Sequence, residues 1–198
     1  MTEQQEKELQ FNEQAPHEIP GGQINETPGN LFDYENDYAL AHCISADFAL
    51  GAGIAKYFQA RYGTRDELRQ RFAHVWNGYG YCLMTNNNHV FNLVTKNRYF
   101  EKPTLLTMRE SLMDMRRIAE EVGIRKIAMP RIGCGLDRLQ WQDVKDILVE
   151  VYGGSDLDIR VVYLNEYLDG RILDPDTEKI NFGKDRQHID GNLEKKYF

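Results

Sequence analysis

The chain lacks an excess of positive charge. Its 198 residues include 24 Lys and Arg against 31 Asp and Glu, which gives a net charge of −7 at pH 7. A protein that holds nucleic acid through a broad phosphate-binding surface needs clustered basic residues. The composition therefore excludes that class, while a local basic pocket stays compatible with it.

Long apolar runs are also missing. No stretch of the sequence approaches the roughly 20 apolar residues that a membrane span requires. The first residues, MTEQQEKELQ, have neither the basic start nor the apolar core of a secretion signal. We expect a protein without membrane partners that resides in the cytoplasm, with the nucleus as a further compartment in a eukaryote.

Cysteine is scarce. Cys43, Cys82 and Cys134 are odd in number and far apart, so the sequence predicts reduced thiols rather than a disulfide framework or a zinc site. The five histidines are scattered, and none has the spacing of a metal ligand pair. We expect no metal and no cofactor.

The length and texture of the chain predict one domain with two flanking segments. Residues 1–22 are rich in Glu and Gln and end in Pro-Gly-Gly, which indicates a flexible tail. Residues 23–165 form the predicted domain, and residues 166–198 turn polar again and form an extension without an assigned role. We expect the protein to be a monomer.

Within the domain, short apolar runs alternate with helical patterns. The runs ALAHCI, GYCLM, VFNLVT, KIAM and IRVVYL predict buried strands. Between residues 104 and 121, apolar residues recur at steps of three and four, and Gly123 stands where a helix C-cap is favoured. A second amphipathic pattern begins at Trp141. The alternation predicts a layered α/β domain.

Two segments repeat the order strand, Gly-x-Gly, helix. They are GAG at residues 51–53 and GCG at residues 133–135. Glycine allows close approach of the backbone, and a following helix start directs N–H groups at an anion, so two such loops suit a diphosphate. The alternative is that these glycines only make turns. Neither loop continues into a P-loop or into G-x-G-x-x-G.

Two side chains near these loops have both a structural and a chemical interpretation. Lys96 ends the apolar strand VFNLVT, where partial removal from water favours the neutral, nucleophilic amine; a surface lysine at a strand end is the alternative. Asp137 follows the second loop, where an N-cap of the next helix is the structural interpretation. Residue patterns alone do not decide between them.

The segments AHCISADFALGAGIAKYF, LVTK and MPRIGCGLDRLQW together resemble the macrodomain family, in the branch of the terminal ADP-ribose glycohydrolases. The resemblance runs from about Ile24 to Leu164. It implies a three-layer α/β/α fold with a central mixed sheet and an ADP-ribose cleft above the strand ends. It also implies an enzyme that removes ADP-ribose from acidic side chains, and further candidate substrates are O-acyl-ADP-ribose and ADP-ribosylated nucleic acid.

The resemblance assigns roles to particular residues. Lys96 matches the nucleophile that attacks C1″ of the distal ribose, and Asp137 matches the acid/base. Substrate-binding positions fall on Asn30, Leu31, Ser45, Gly51, Gly53, Ile54, Arg131, Ile132, Gly133, Cys134, Gly135 and Leu136. Asn30 departs from the family, which usually has an aspartate at this contact with adenine, and the loss of charge weakens that hydrogen bond. A non-catalytic reader of ADP-ribose and an ADP-ribose 1″-phosphate phosphatase stay as alternative functions.

Overall fold

A computed structural model describes residues 24–74 and 78–164 of the chain. The predicted tail at residues 1–22 and the predicted extension at residues 166–198 lie outside the described residues, and both stay predictions. Within the described ranges, no helix is long and apolar enough to cross a membrane.

Six strands and four α-helices make up the described chain. The strands are β1 (Ile24–Pro28), β2 (Ala39–Ser45), β3 (Tyr81–Thr85), β4 (Val90–Lys96), β5 (Lys126–Met129) and β6 (Asp158–Tyr163). The helices are α1 (Gly53–Tyr62), α2 (Thr64–Phe72), α3 (Leu105–Val122) and α4 (Trp141–Tyr152), and a 3₁₀ helix spans Leu31–Tyr34.

The strands form one mixed sheet in the order β1-β6-β5-β2-β4-β3. All neighbours are parallel except β3, which pairs with β4 in the antiparallel direction. The carboxyl ends of five strands therefore meet at one edge of the sheet. In open sheets of this kind, ligands bind outside that edge, in the loops that follow the strands.

Helices cover both faces of the sheet. On one face, α3 and α4 bury residues such as Met108, Leu112 and Leu148 against alternate strand residues such as Phe91 and Ile127. On the other face, the 3₁₀ helix, α1 and α2 supply a second set, which includes Phe32, Phe58 and Leu68. The predicted three-layer α/β/α fold with a central mixed sheet is confirmed.

Helix α3 shows how the sequence sets these elements. The hydroxyl of Thr104 accepts a hydrogen bond from the Thr107 amide, and the Thr107 side chain accepts one from the Thr104 amide, so a capping box starts the helix. The predicted C-cap, Gly123, adopts the left-handed conformation at φ 78°. The predicted helix and its predicted C-cap are confirmed.

His42 belongs to the core. It is fully buried on β2, stacks on the Phe58 ring at 3.9 Å, and its Nε2 lies 2.8 Å from Asn92 Oδ1. Burial lowers the pKa of His42 to about 4, and its hydrogen bond with Asn92 only partly opposes this shift. The imidazole is therefore neutral at pH 7, with Nε2 protonated towards the amide oxygen.

The burial of the His42 imidazole predicts that the free energy of unfolding falls at acid pH. In the folded protein the pKa of His42 lies below the usual histidine value of 6.5, so the unfolded chain takes up this proton first as the pH falls. The stabilisation is present above pH 6.5 and is lost as the pH approaches 4. Between pH 7 and pH 5, His42 accounts for a loss of about 2 kcal/mol in the free energy of unfolding.

The measurement is urea unfolding of the wild type and of His42→Gln at both pH values. The variant is less stable at pH 7, because its longer, flexible amide cannot reproduce the ring stacking, but it lacks most of the pH dependence. An equal loss between pH 7 and pH 5 in both proteins would show that other groups carry the proton uptake.

Candidate functional site

The predicted site residues meet at the carboxyl edge of the sheet. Ser45 ends β2 and Lys96 ends β4. Asn30 follows β1, and the second glycine loop follows β5. Because β5, β2 and β4 are adjacent in the sheet, the loop after β5 reaches across the end of β2 towards Lys96.

Lys96 and Asp137 form an ion pair in this cleft. Lys96 Nζ lies 2.5 Å from Asp137 Oδ1, and each side chain is only 13% exposed. A pair that is largely withdrawn from water holds its geometry better than an exposed one, because its electrostatic attraction is screened less. The structure thus places an amine and a carboxylate together from segments 41 residues apart.

The interpretation of Asp137 as an N-cap is wrong. Helix α4 begins at Trp141, and its N-cap residue is Gln140. Asp137 instead lies in a turn that ends at Arg138, a residue with a left-handed φ of 61°. The cap preference of aspartate is a local tendency, and here the long-range pairing with Lys96 decides the position of the side chain.

The first glycine loop leads directly into a helix, as predicted. Gly53 is the first residue of α1 and has a φ of 55°. No side chain caps the first turn of α1 in the described structure. Its leading N–H groups have no intrahelical partners and carry the positive end of the helix dipole, so they suit an anion. Gly51, by contrast, has no left-handed conformation.

The backbone before this loop is strained. Phe48 and Leu50 both have positive φ values, 52° and 43°, although both carry buried side chains. Such conformations cost on the order of 1–3 kcal/mol each and persist where the surrounding packing fixes them. Their burial in the core beside α1 and α2 holds the loop in this shape.

The second glycine loop differs from its prediction. Helix α4 starts six residues after Gly135, so no helix start directly follows the GCG segment. Gly133 has a φ of 73°, and an added Cβ would lie 2.7 Å from Met108 Cε and 2.9 Å from Leu139 Cδ1. The positive φ favours glycine there, and an added Cβ would also displace the ends of the Met108 and Leu139 side chains. Gly135 has open space around it instead.

The two glycine loops face each other. An added Cβ on Gly53 would lie 3.6 Å from Leu136 Cδ1. Within the described residues, the backbone hydrogen bonds that close the second loop are donated by the amides of Cys134, Arg138 and Leu139, and not by those of Gly135 and Leu136. The two loops therefore border one space, as a diphosphate cradle requires.

Arg131 is turned towards β1 and α4. Its guanidinium lies 4.4 Å from the centre of the Tyr163 ring and 5.6 Å from that of Trp141, and Nη2 donates to Glu26 Oε2 at 3.2 Å. Trp141 Nε1 donates to the same oxygen at 3.1 Å, and Lys145 Nζ lies 2.7 Å from Oε1. The Arg131 side chain therefore fixes the start of the loop.

Glu26 is the centre of that cluster and was not predicted from the sequence. Burial alone would raise the pKa of its carboxyl, but hydrogen bonds from Lys145 and Trp141, the charge of Lys145 and the hydrogen bond from Arg131 outweigh it and lower the pKa. A permanently charged Glu26 ties the second glycine loop to β1 and to the first turn of α4.

Asp47 is a second residue that sequence reasoning missed. Ser45 Oγ donates to its Oδ1 at 2.5 Å, and the Tyr99 amide donates to its Oδ2 at 3.1 Å. Its own amide donates to the Asn97 carbonyl at 3.2 Å. Asp47 thus orients the predicted substrate serine and joins the loop after β2 to the loop after β4.

Asn30 and Leu31 lie at the other end of the cleft. Asn30 is the N-cap of the 3₁₀ helix: its Oδ1 accepts from the Phe32 amide at 3.1 Å, and its Nδ2 donates to Asp33 Oδ1 at 3.4 Å. An aspartate in place of Asn30 would set two carboxylates side by side. Leu31 is buried against the neighbouring core.

Two thiols lie beside the ion pair. Burial raises the pKa of Cys43, and the charge of Asp137 raises it further, while Lys96 and the Gly133 amide oppose the shift. Cys43 therefore stays a thiol and does not compete with Lys96 as a nucleophile. Cys134 Sγ contacts the Ile132 carbonyl at 3.3 Å within the loop. Across residues 24–74 and 78–164, no group of three metal-ligating side chains forms.

Comparison with known proteins identifies relatives of this chain. No protein-family model matches the chain. ADP-ribose glycohydrolase OARD1 of Homo sapiens is 38% identical over 144 residues, which cover 73% of this chain and 93% of that protein, and the Bos taurus protein matches equally. DNA ADP-ribosyl glycohydrolase of Mycobacterium tuberculosis is 28% identical over 121 residues, 58% of this chain and 34% of that protein.

Solved structures show the same fold. The macrodomain of Thermus aquaticus DarG matches with a TM-score of 0.66 at 22% identity and covers 73% of this chain and 100% of that one. The macrodomain of M. tuberculosis DarG matches with a TM-score of 0.62 at 24% identity, over 73% and 99% of the two chains. The resemblance noted in the sequence is confirmed, and the chain belongs to the macrodomain family, in the branch of the OARD1-type ADP-ribose glycohydrolases.

Proposed function

We propose that this ADP-ribose glycohydrolase cleaves the bond at C1″ of the distal ribose, with Lys96 as the nucleophile and Asp137 as the acid/base. Acidic side chains modified with ADP-ribose are its main proposed substrates. The observation that carries the proposal is the 2.5 Å contact between Lys96 Nζ and Asp137 Oδ1 at the carboxyl edge of the sheet. A module that only binds ADP-ribose has no need for this pair.

The order of the strands supports one direction for ADP-ribose along the cleft. Adenine occupies the end of the cleft at Asn30 and Leu31, after β1, and the diphosphate lies between the two glycine loops, which follow β2 and β5. The distal ribose reaches Ser45, Lys96 and Asp137. From β1 to β4 there are four strand spacings, or about 19 Å at the usual separation of strands. The strand order thus follows the order of groups in ADP-ribose.

The first chemical step transfers the sugar to the enzyme. Asp137 accepts a proton from the Lys96 ammonium, and the freed lone pair forms a bond between Nζ and C1″. The bond between C1″ and the acyl oxygen breaks, and its electron pair leaves with the carboxylate of the target side chain. The product is a glycosylamine on Lys96, and its ring opens to an imine at C1″ when Nζ loses a proton and the ring oxygen takes one up.

The second step releases ADP-ribose. Water adds at C1″ of the adduct while Asp137 exchanges the proton, the N–C1″ bond breaks, and its electron pair returns to Nζ. We assign no metal or cofactor to either step, since an amine and a carboxylate supply the nucleophile and the proton transfer. Ser45, held by Asp47, is the proposed contact to the distal ribose.

Release of ADP-ribose is also to be measured for two other candidate substrates. O-acyl-ADP-ribose contains the same acyl bond at a smaller leaving group. A relative carries the name DNA ADP-ribosyl glycohydrolase, which makes ADP-ribosylated nucleic acid a second candidate substrate. Phosphate release from ADP-ribose 1″-phosphate, measured beside ADP-ribose release, separates the proposed reaction from that of a phosphatase.

The first prediction concerns Lys96. Lys96→Ala removes the nucleophile and reduces kcat on a glutamate-linked ADP-ribosyl peptide at least about a thousandfold. It leaves the glycine loops intact, so ADP-ribose still binds in isothermal titration calorimetry. Asp137→Asn keeps the shape of the pair and reduces kcat by about a hundredfold or more.

Lys126→Ala is the matched control for charge, because Lys126 begins β5 at the opposite edge of the sheet. It retains wild-type turnover. If folded Lys96→Ala turns over at the wild-type rate, Lys96 has no part in the reaction, and if it loses ADP-ribose binding as well, its role is in binding.

The second prediction concerns the anchor of the phosphate loop. Glu26→Gln leaves two cations, Arg131 and Lys145, without their shared carboxylate, and the second glycine loop loses its fixed start. We expect the affinity for ADP-ribose to fall about tenfold, on the scale of one lost charge-assisted hydrogen bond. Turnover of bound substrate changes little, because Lys96 and Asp137 stay paired.

Glu150→Gln serves as the control, since Glu150 pairs with Arg109 on the exposed helices α3 and α4. Titration calorimetry gives the affinity, and steady-state kinetics separate KM from kcat. A fall in kcat at unchanged KM would mean that Glu26 does not act through the phosphate loop.

A further inference from the structure

The loop that follows Lys96 exposes two aromatic rings beside the reaction centre. We call residues 97–103 the rim loop. Within it, Tyr99 is 66% exposed and Phe100 is 68% exposed, and their rings meet edge to face with centres 5.3 Å apart. The burial of either ring would be worth about 1.5–3 kcal/mol, so this exposure is costly unless a partner covers the rings.

The rim loop is firmly anchored, so the exposure does not result from a lack of contacts. The Tyr99 amide donates to Asp47 Oδ2 at 3.1 Å, and Glu101 Oε2 accepts from the amides of Asn97 and Arg98, both at 3.2 Å. Lys102 Nζ donates to the Leu136 carbonyl in the second glycine loop. These contacts hold the rings in place towards solvent.

The carboxylates at the rim loop point into the protein, and positive charge lies on its outer side. The carboxylates of Asp47 and Glu101 bind backbone amides and point inwards. Arg98 is exposed directly before the rings, whereas the Lys102 ammonium binds the Leu136 carbonyl of the second glycine loop. The outer face therefore combines stacked aromatic carbon with positive charge, although the chain as a whole is acidic.

The rim loop also lies where the leaving group must be. In the proposed binding mode, ADP-ribose runs from β1 to β4, with C1″ at Lys96. The group that is attached to C1″ continues past β4, and the rim loop begins at the residue after Lys96. This step rests on the proposed function.

We propose that Tyr99 and Phe100 form a stacking platform for the nucleobase that carries ADP-ribose in a single strand of nucleic acid, with Arg98 facing its phosphates. Bases have flat faces that stack on exposed aromatic side chains whatever their sequence, and cations follow the backbone beside them. A glutamate side chain is flexible and has no ring to stack, and its charge gains nothing from two aromatic faces. A base inside a duplex is already stacked, so the platform takes a single strand.

The test uses a double variant and two substrates. Tyr99→Ala with Phe100→Ala is compared with the wild type on a single-stranded oligodeoxynucleotide that carries ADP-ribose on one base, and on a glutamate-linked ADP-ribosyl peptide. For the oligonucleotide we expect KM to rise by about tenfold or more, on the scale of one lost base–aromatic stack. For the peptide we expect KM and kcat to stay at the wild-type values.

Two further proteins control for the substitution itself. Tyr99→Phe with Phe100→Tyr keeps both rings and restores KM for the oligonucleotide. Val149→Ala removes an exposed apolar side chain from α4, where Val149 is 55% exposed, and changes neither substrate. Equal losses on both substrates would make the rings structural and would overturn the platform. No loss on either substrate, or a loss on the peptide alone, would overturn it as well.

A binding measurement separates this inference from the proposed reaction. The same oligodeoxynucleotide without ADP-ribose, labelled with a fluorophore, is titrated with the wild type and with the double alanine variant. Fluorescence anisotropy gives an affinity that falls about tenfold in the variant if the rings stack on bases. Equal affinities overturn the platform. A wild type that cleaves neither modified substrate contradicts the proposed function, and the binding result still decides on the platform.

Discussion

The ion pair between Lys96 and Asp137 is the interaction on which the other features of the cleft depend. It joins the end of β4 to the loop after β5, and it does so across the end of β2. Because β2 separates the two strands, the second glycine loop has to lie over the sheet edge for the pair to form. The same placement brings this loop beside the first glycine loop, so one constraint positions both the proposed nucleophile and the proposed phosphate cradle.

Three further contacts hold that arrangement from outside. Glu26 fixes the start of the second glycine loop through Arg131 and Trp141, and Lys102 binds its Leu136 carbonyl. Asp47 joins the loops after β2 and β4. Catalytic groups have to be held in a narrow range of positions, and side chains that contact them indirectly supply that rigidity. The shape of the cleft therefore depends on charged residues that lie outside the proposed substrate contacts.

Much of the fold could be predicted because its signals are local. The continuous apolar run of β2 predicts a strand buried inside the sheet, and the spacing in α3 with Gly123 predicts that helix and its C-terminal end. Helix α2 was not predicted, since its sequence TRDELRQRF buries few side chains and shows no clear apolar face. Strand β1 is only half buried at the sheet edge, and its pattern is correspondingly weak.

The site could be predicted only in part, because its geometry comes from distant segments. The glycines and Lys96 stand out locally, whereas Glu26 meets Arg131 from a strand 105 residues away. Asp137 has the sequence context of a helix cap, and only its partner 41 residues earlier gives it a different role. The resemblance to macrodomains predicts an acid/base role for Asp137, and the structure shows the contact with Lys96 on which that prediction depends.

The most direct measurement of the central claim is chemical trapping of the sugar adduct. The wild-type protein is mixed with a glutamate-linked ADP-ribosyl substrate, reduced with borohydride during turnover, digested, and analysed by mass spectrometry. The account predicts one reduced ADP-ribose on the peptide that contains Lys96. Turnover without any adduct, or an adduct on another lysine such as Lys102, would contradict it.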